Sequence, residues 1–334
     1  MKSPANDMTE FEVLLRKQSD YRWAQYRHLV EFLKSTYSRQ TNFFDIHATE
    51  HILRVLHNVD MLVPKDLKRK WTVDEIFLFL CSVWLHDIDI LEDFDSSESY
   101  RHARVLHAER SYKYVISINE VIQLDEKEAK IIASIVMGQT LPDLCELPEK
   151  KSIGIGEVIS IRPLAALLKL ADALDTDYRR MPDIVKTLSG IPNSAEWSFR
   201  ESIECLEIDS SVWDIIVYST PKSFEMLEDV RRALSWVNET LDEIRSELRN
   251  LRLLYRRVDY VVDDTYLLEL DKVTRAAKKQ VREGARVIHQ MDIGKLCPFT
   301  GAVCSKMEET DGSMVFIGMK FPRFSGHGER ILLL

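Results

Sequence analysis

His51, His86, Asp87 and Asp172 are the residues whose types and settings could together hold a divalent metal ion. One imidazole or one carboxylate cannot outcompete water for such an ion, so several donors must converge from different elements. The adjacent His86-Asp87 pair says little alone, since a chain with this many histidines and acidic residues produces such a pair readily by chance. Its setting says more. His51 shares a helical stripe with Val55, Val59 and Leu62, His86-Asp87 ends an apolar run, and Asp172 lies on one face of a later helix with Ala165, Leu168 and Asp175. Burying these groups is costly unless each finds a partner. A lone His51 is more often a satisfied core histidine, and a lone Asp172 a buried cap or ion-pair member. Taken together they favour a ligand set.

The elements that would position them are mostly helical. Residues 9–37 read as one or two helices bearing Phe11, Tyr21, Trp23, Tyr26 and Phe32, followed by the polar break SRQTN. Ile46 to Leu62 has helical apolar spacing. Thr72 with Glu75 three residues on is a capping-box start for the helix through Phe77, Leu80 and Trp84, which delivers His86 and Asp87. The acidic stretch DIDILEDFDSSES reads as a loop, a candidate lid, and helices resume over 100–118 and 125–138. A Pro- and Gly-bearing connector, LPDLCELPEKKSIGIG, is predicted as a long surface loop. Pro163 suits the first turn of the helix that carries Asp172. CLEID and WDIIVYS flank the turn-prone Asp209-Ser210-Ser211 and predict a small β-hairpin. Residues 222–256 form a long amphipathic helical stretch, fit to pack on the helical body or to mediate a homodimer.

The composition sets outer bounds. Hydrophobic residues at 45% and charged residues at 30% describe a globular protein long enough for one large domain with an appendage, or for two domains. A formal charge of −9 argues against a nucleic-acid coat and leaves small anions as substrates. Five scattered cysteines do not form a disulfide framework, which points to a reducing cytoplasm. The polar N-terminal stretch lacks an apolar signal core, and no apolar run is long enough for a bilayer span, so no membrane location is expected.

The segments HATEHILRV, SVWLHDID and LLKLADALDTD resemble the successive His, His-Asp and Asp motifs of the HD-superfamily phosphohydrolases. The resemblance covers roughly residues 20–190 and implies metal ligation by His51, His86, Asp87 and Asp172. His47, one turn before His51, competes as first ligand, but His51 with Val55 matches the family's spacing. Where the family often has Gly shortly after its His-Asp pair, this chain has Asp89. The implied chemistry is hydrolysis of a phosphoester by metal-activated water, with Asp87 at the reacting centre. Imidazole and carboxylate donors suit Mn, Fe, Co, Ni or Zn, with Mg also compatible. IASIVMGQT lacks the extra His of binuclear relatives, so one divalent ion is expected. His107 matches a position where many HD proteins place a further functional His, a leaving-group acid or phosphate contact; its alternative is an exposed helix histidine. Arg179, Arg180 and Lys169 are candidate phosphate contacts, and the two arginines equally suit a helix C-terminus.

The expected fold is therefore mainly α: a helical HD bundle over 1–190, an extension of β-hairpin plus long helix over 191–290, and a Cys-containing fragment over 291–334. The extension resembles that of the large, HD-CE-like branch found in bacterial conflict-system proteins. Cys297 and Cys304 bracket a turn and read as free thiols, because a structural zinc site needs about four ligands. MVFIGMKFP looks like the opening strand of a Toll/interleukin-receptor-like or deoxyribosyltransferase-like domain, in a chain that is truncated there unless the strand pairs elsewhere. The expected substrate is a nucleotide or nucleotide-derived signal. The alternative is a non-catalytic module that senses metal or nucleotide in a defence or signalling system. A plain helical interaction protein is a third reading.

Overall fold

The computed structural model describes residues 8–39, 48–88, 97–154, 157–176 and 201–263, positions 268 and 272, and three later strands; positions 38, 39, 48 and 97–106 and those strands are described as backbone. The chain divides into two units, one comprising Met1–Ser219 and Glu225–Val261, the other Thr220–Phe224 and Val262–Leu334.

The first unit is mainly helical, as the apolar periodicity predicts. Helix α1 (Glu10–Gln18) begins at a capping box in which Thr9 and Glu12 satisfy each other's backbone N–H groups. Asp60, from a helix further along, also accepts from the N–H groups of Glu10 and Phe11, where the helix dipole favours negative charge. Helix α2 (Asp20–Arg39) follows, then α3 (Ala48–Leu62) and the single turn α4 (Lys65–Lys68). Helix α5 (Val73–Leu85) starts at the predicted Thr72–Glu75 box, and every residue from Ile76 to Leu85 is buried. A helix apolar on all sides belongs at the centre of a bundle, and α1, α2, α3 and α7 (Glu126–Met137) all pack against α5.

Helices α6 (Ser97–Ser117) and α7 are joined by residues 118–125, a connection short enough to make them antiparallel neighbours. Asp125 and Glu128 form a third capping box at the start of α7. Gly138, just past α7, lies so close to α8 (Ile161–Ala173) that a Cβ there would stand 2.6 Å from the Cβ of Ala165. Pro163 falls in the first turn of α8, as expected.

The predicted surface loop between α7 and α8 contains more order than its composition suggests. Leu144–Glu146 makes a 3-10 turn, and β1 (Lys150–Ser152) pairs antiparallel with β2 (Val158–Ser160). The predicted hairpin is β3 (Ile203–Asp209) with β4 (Asp214–Ser219), turned by Asp209, whose carboxylate accepts from the N–H and hydroxyl of Ser211. Its other side acquires β5 (Val258–Val262), so the hairpin becomes a three-stranded sheet in the order β3-β4-β5.

The long helix α9 (Phe224–Asn250) turns Met226, Val230, Leu234, Val237, Leu241, Ile244 and Leu248 inward. The apolar stripe that suggested a dimer interface is thus buried within this chain's own core. Leu253, Tyr255 and Val258 extend the same core beyond the helix, and the Tyr255 hydroxyl donates to the carbonyl of Leu62 at the end of α3. No described helix is long and apolar enough to cross a membrane.

In the second unit, β6 (Val303–Thr310), β7 (Met314–Lys320) and β8 (Arg330–Leu333) form an antiparallel sheet with β7 in the middle. The strand expected over MVFIGMKFP is β7, and it pairs on both sides. The thiol state expected for Cys297 and Cys304 concerns side chains outside the described set; among the described residues, Cys81, Cys145 and Cys205 form no disulfide.

Candidate metal centre

The end of α5 shows how the local sequence creates half of the site. The last carbonyls of a helix have no intrahelical donor and must be met otherwise. Here the Tyr37 hydroxyl donates to the carbonyl of Trp84 (3.1 Å), and the imidazole of His86 turns back so that Nδ1 donates to the carbonyl of Val83 (2.7 Å). Trp84 is itself anchored by its indole N–H donating to Tyr26 (2.9 Å), whose hydroxyl donates to Glu12 (2.9 Å). His86 is completely buried, and its Nε2 faces His51.

Helix α3 supplies the other half through a polar stripe inside its apolar face. His51, Arg54 and Asn58, at spacings that share one side of a helix, are each only 7% exposed. All three read against the C-terminal part of α8. The Asn58 amide donates to the carbonyl of Ala171 (3.0 Å), Arg54 grips Asp175 with Nε (2.6 Å) and a terminal nitrogen (3.2 Å), and His51 Nδ1 meets the other Asp175 oxygen at 2.5 Å.

The two imidazoles converge. His51 Nε2 and His86 Nε2 stand 3.1 Å apart. Asp87 Oδ2 is 3.4 Å from His51 Nε2 and 3.5 Å from His86 Nε2, and Asp172 Oδ1 is 3.3 Å and 3.9 Å from the same two atoms. His51, His86 and Asp87 form a mutual group with donor atoms all within 4.8 Å, while Asp172 approaches the imidazoles from outside that trio. Burial acts to raise the Asp87 carboxyl, but the surrounding imidazoles, His86 foremost, hold it well below the ordinary carboxylate range.

This donor set fits a single cation. A carbonyl oxygen can only accept, so His86 Nδ1 carries hydrogen. Asp175, neutralised by Arg54, accepts in the same way from His51 Nδ1. With a hydrogen on each Nδ1, the two Nε2 atoms face each other across 3.1 Å, a separation satisfied by a cation or a proton shared between them. Donors placed about 2.0–2.2 Å from one ion at tetrahedral or octahedral angles lie about 2.8–3.6 Å from each other. Most of the separations from the imidazoles fall in that interval, and the Asp172–His86 approach is looser.

Of the other residues singled out in the sequence, His107 on α6 reaches the site, with Nε2 3.6 Å from Asp87 Oδ1. It is largely buried rather than an exposed helix histidine. Lys169 is engaged elsewhere: its ammonium donates to the carbonyl of Leu141 (2.9 Å) and faces Glu243 (3.4 Å), which ties α8 to the connector and to α9. Its sequence position next to the last motif suggested a phosphate contact, but the nearest acceptor for its long stem is main chain. His47, Asp89 and the rest of the candidate lid through residue 96, Arg179 and Arg180 lie outside the described residues. Sequence reasoning missed Arg54 and Asn58, although their spacing from His51 within an apolar face was a usable signal, and it saw Asp175 only as a face position.

The cluster of His51, His86 and Asp87 could hold a metal ion, consistent with an HD-type domain. The HD-CE family model matches residues 30–250, about two-thirds of the chain, and the chain belongs to that family. No curated protein and no solved structure matches it.

Proposed function

We propose that this protein is a divalent-metal-dependent phosphohydrolase that cleaves a phosphoester bond in a nucleotide or nucleotide-derived signal. The observation that carries the reading is the pair of facing Nε2 atoms 3.1 Å apart, each ring having its other nitrogen committed as a donor. His51, His86, Asp87 and Asp172 hold one ion of the Mn, Fe, Co, Ni, Zn or Mg group. An ion held there supplies Lewis acidity toward water and a phosphoryl oxygen.

The protein's own groups do the rest. Asp87 stays ionised among three imidazoles and orients a water by accepting its proton in a hydrogen bond. His107, whose Nε2 is 3.6 Å from Asp87 Oδ1, delivers a proton to the leaving oxygen in this reading. The buried walls of α3, α5 and α8 keep bulk water from the imidazoles. Arg179 and Arg180 follow the last ligand in sequence, and their guanidinium groups suit bidentate binding of a substrate phosphate.

The test is a screen of nucleoside mono- and triphosphates and cyclic nucleotides with Mn, Mg, Co and Ni, run beside a His86→Ala plus Asp87→Ala variant. Turnover by the wild type that vanishes in the variant is the expected result. Hydrolysis that survives the double substitution removes the proposed site from the reaction. Bound metal with no turnover of any substrate assigns the centre to sensing instead.

A further inference from the structure

We infer that Asp175, clamped by Arg54, is the positioning residue that makes His51 a ligand. This rests on the reading of the cluster as a metal site, but the geometry that supports it does not need the ion. An imidazole can coordinate through Nε2 only when its hydrogen sits on Nδ1, and the group opposite Nδ1 decides that. For His86 the deciding group is the Val83 carbonyl, part of the helix backbone. For His51 it is a side chain just past the end of α8, 124 residues away in sequence, at 2.5 Å.

Asp175 can do this because of how it is held. Its side chain is 2% exposed, and one oxygen faces His51 while Arg54 bonds to both oxygens. The Asp175–Arg54 pair is neutral as a unit, so His51 needs no extra proton to balance the buried carboxylate. The carboxylate has no hydrogen to give and therefore fixes the imidazole as the Nδ1–H tautomer. Arg54 and His51 share α3 one turn apart, and Asp175 lies just past the end of α8, its N–H donating to the carbonyl of Asp172 (2.9 Å). The contact thus locks the two ligand-bearing helices in the register at which His51 and Asp172 meet.

Asp175→Asn tests the assignment with little change of shape. The Asn oxygen accepts from Arg54, which leaves the amide NH₂ facing His51 Nδ1 as a donor and moves the ring hydrogen to Nε2. Imidazole ¹⁵N NMR of the metal-free, full-length protein at about pH 8, above the ordinary imidazole range, reads this directly. Wild type is expected to show both His51 and His86 as Nδ1–H tautomers. The variant is expected to convert His51 alone, with His86 as internal control. Equilibrium dialysis with Mn²⁺ is expected to show affinity reduced about 10–100-fold in Asp175→Asn. Arg54→Lys, which keeps the charge and loses the fork, retains the tautomer and loses less affinity.

A folded Asp175→Asn with unchanged His51 tautomer, or with wild-type Mn²⁺ affinity, overturns the inference. If that variant does not fold, the wild-type spectrum decides: His51 found as the Nε2–H tautomer overturns it equally. A wild type that binds none of the ions, Mn²⁺ included, yet shows the Nδ1–H tautomer refutes the metal reading and leaves the Asp175–His51 assignment standing.

Discussion

At the residue scale the four proposed ligands do not stand alone, because each imidazole is aimed by a group outside the ligand set, the Val83 carbonyl or the Asp175 carboxylate. His107 is the residue whose role the motif left most open between chemistry and surface. Its place 3.6 Å from Asp87 makes a separable expectation. His107→Gln should lower kcat by about 10²–10⁴, the range for losing a positioned proton donor, while metal stoichiometry by elemental analysis stays at the wild-type value. Loss of the metal together with activity would instead make His107 a ligand. The residues that sequence did not reveal share one physical property. Arg54 and Asp175 act across a contact between helices distant in sequence, and neither residue type nor local spacing says which partner lies opposite. His51 and Asp172 were legible because a polar group on an otherwise apolar helix face is conspicuous before its partner is known.

At the element scale, the helices were legible for reasons the structure shows in detail. The Thr72–Glu75 box and the buried run of α5 are local signals, and they are borne out where they were read. The strands β1, β2 and β5 were not seen. Lys150–Ser152 and Val158–Ser160 are three residues each, too short for a period to emerge, and β5 is defined by its pairing partner rather than its own sequence. A close approach of elements lies at Gly138. Adding a methyl group there drives it into Ala165, 2.6 Å away, with Leu144 and Leu147 closing the other sides at 3.2 Å and 3.1 Å. Gly138→Ala should destabilise by about 1–3 kcal/mol in urea unfolding. Combining it with Ala165→Gly should recover part of that loss, less about 1 kcal/mol for a glycine within α8. Additive losses in the double variant would show that the two residues do not touch.

At the scale of the whole molecule, the site couples α3, α5 and α8, so an ion bound there reports on the fold as a unit. Ligation that occurs only in the folded state should raise stability by about 2.7 kcal/mol at a free metal concentration 100 times Kd. Differential scanning fluorimetry across a Mn²⁺ series should show a rising Tm in wild type and none in the His86→Ala plus Asp87→Ala variant. An equal rise in both would place the metal elsewhere. The adjacent His86-Asp87 pair alone does not define the site, whose distinguishing feature is the convergence of three helices.

Tyr255 defines a boundary of a different kind. The family match closes at residue 250 and opens at residue 30, yet the Tyr255 hydroxyl is bonded to Leu62, and Phe11, Leu15, Tyr26 and Leu29 are buried in the same interior. The buried core therefore extends beyond the matched residues on both sides. A fragment cut to residues 30–250 severs α2 and strips both flanks of the bundle. It should be degraded rapidly in limited proteolysis, whereas a fragment of residues 8–262 should give a resistant band. For anyone dividing proteins of this family into pieces, the bond from Tyr255 to Leu62 marks where to stop cutting.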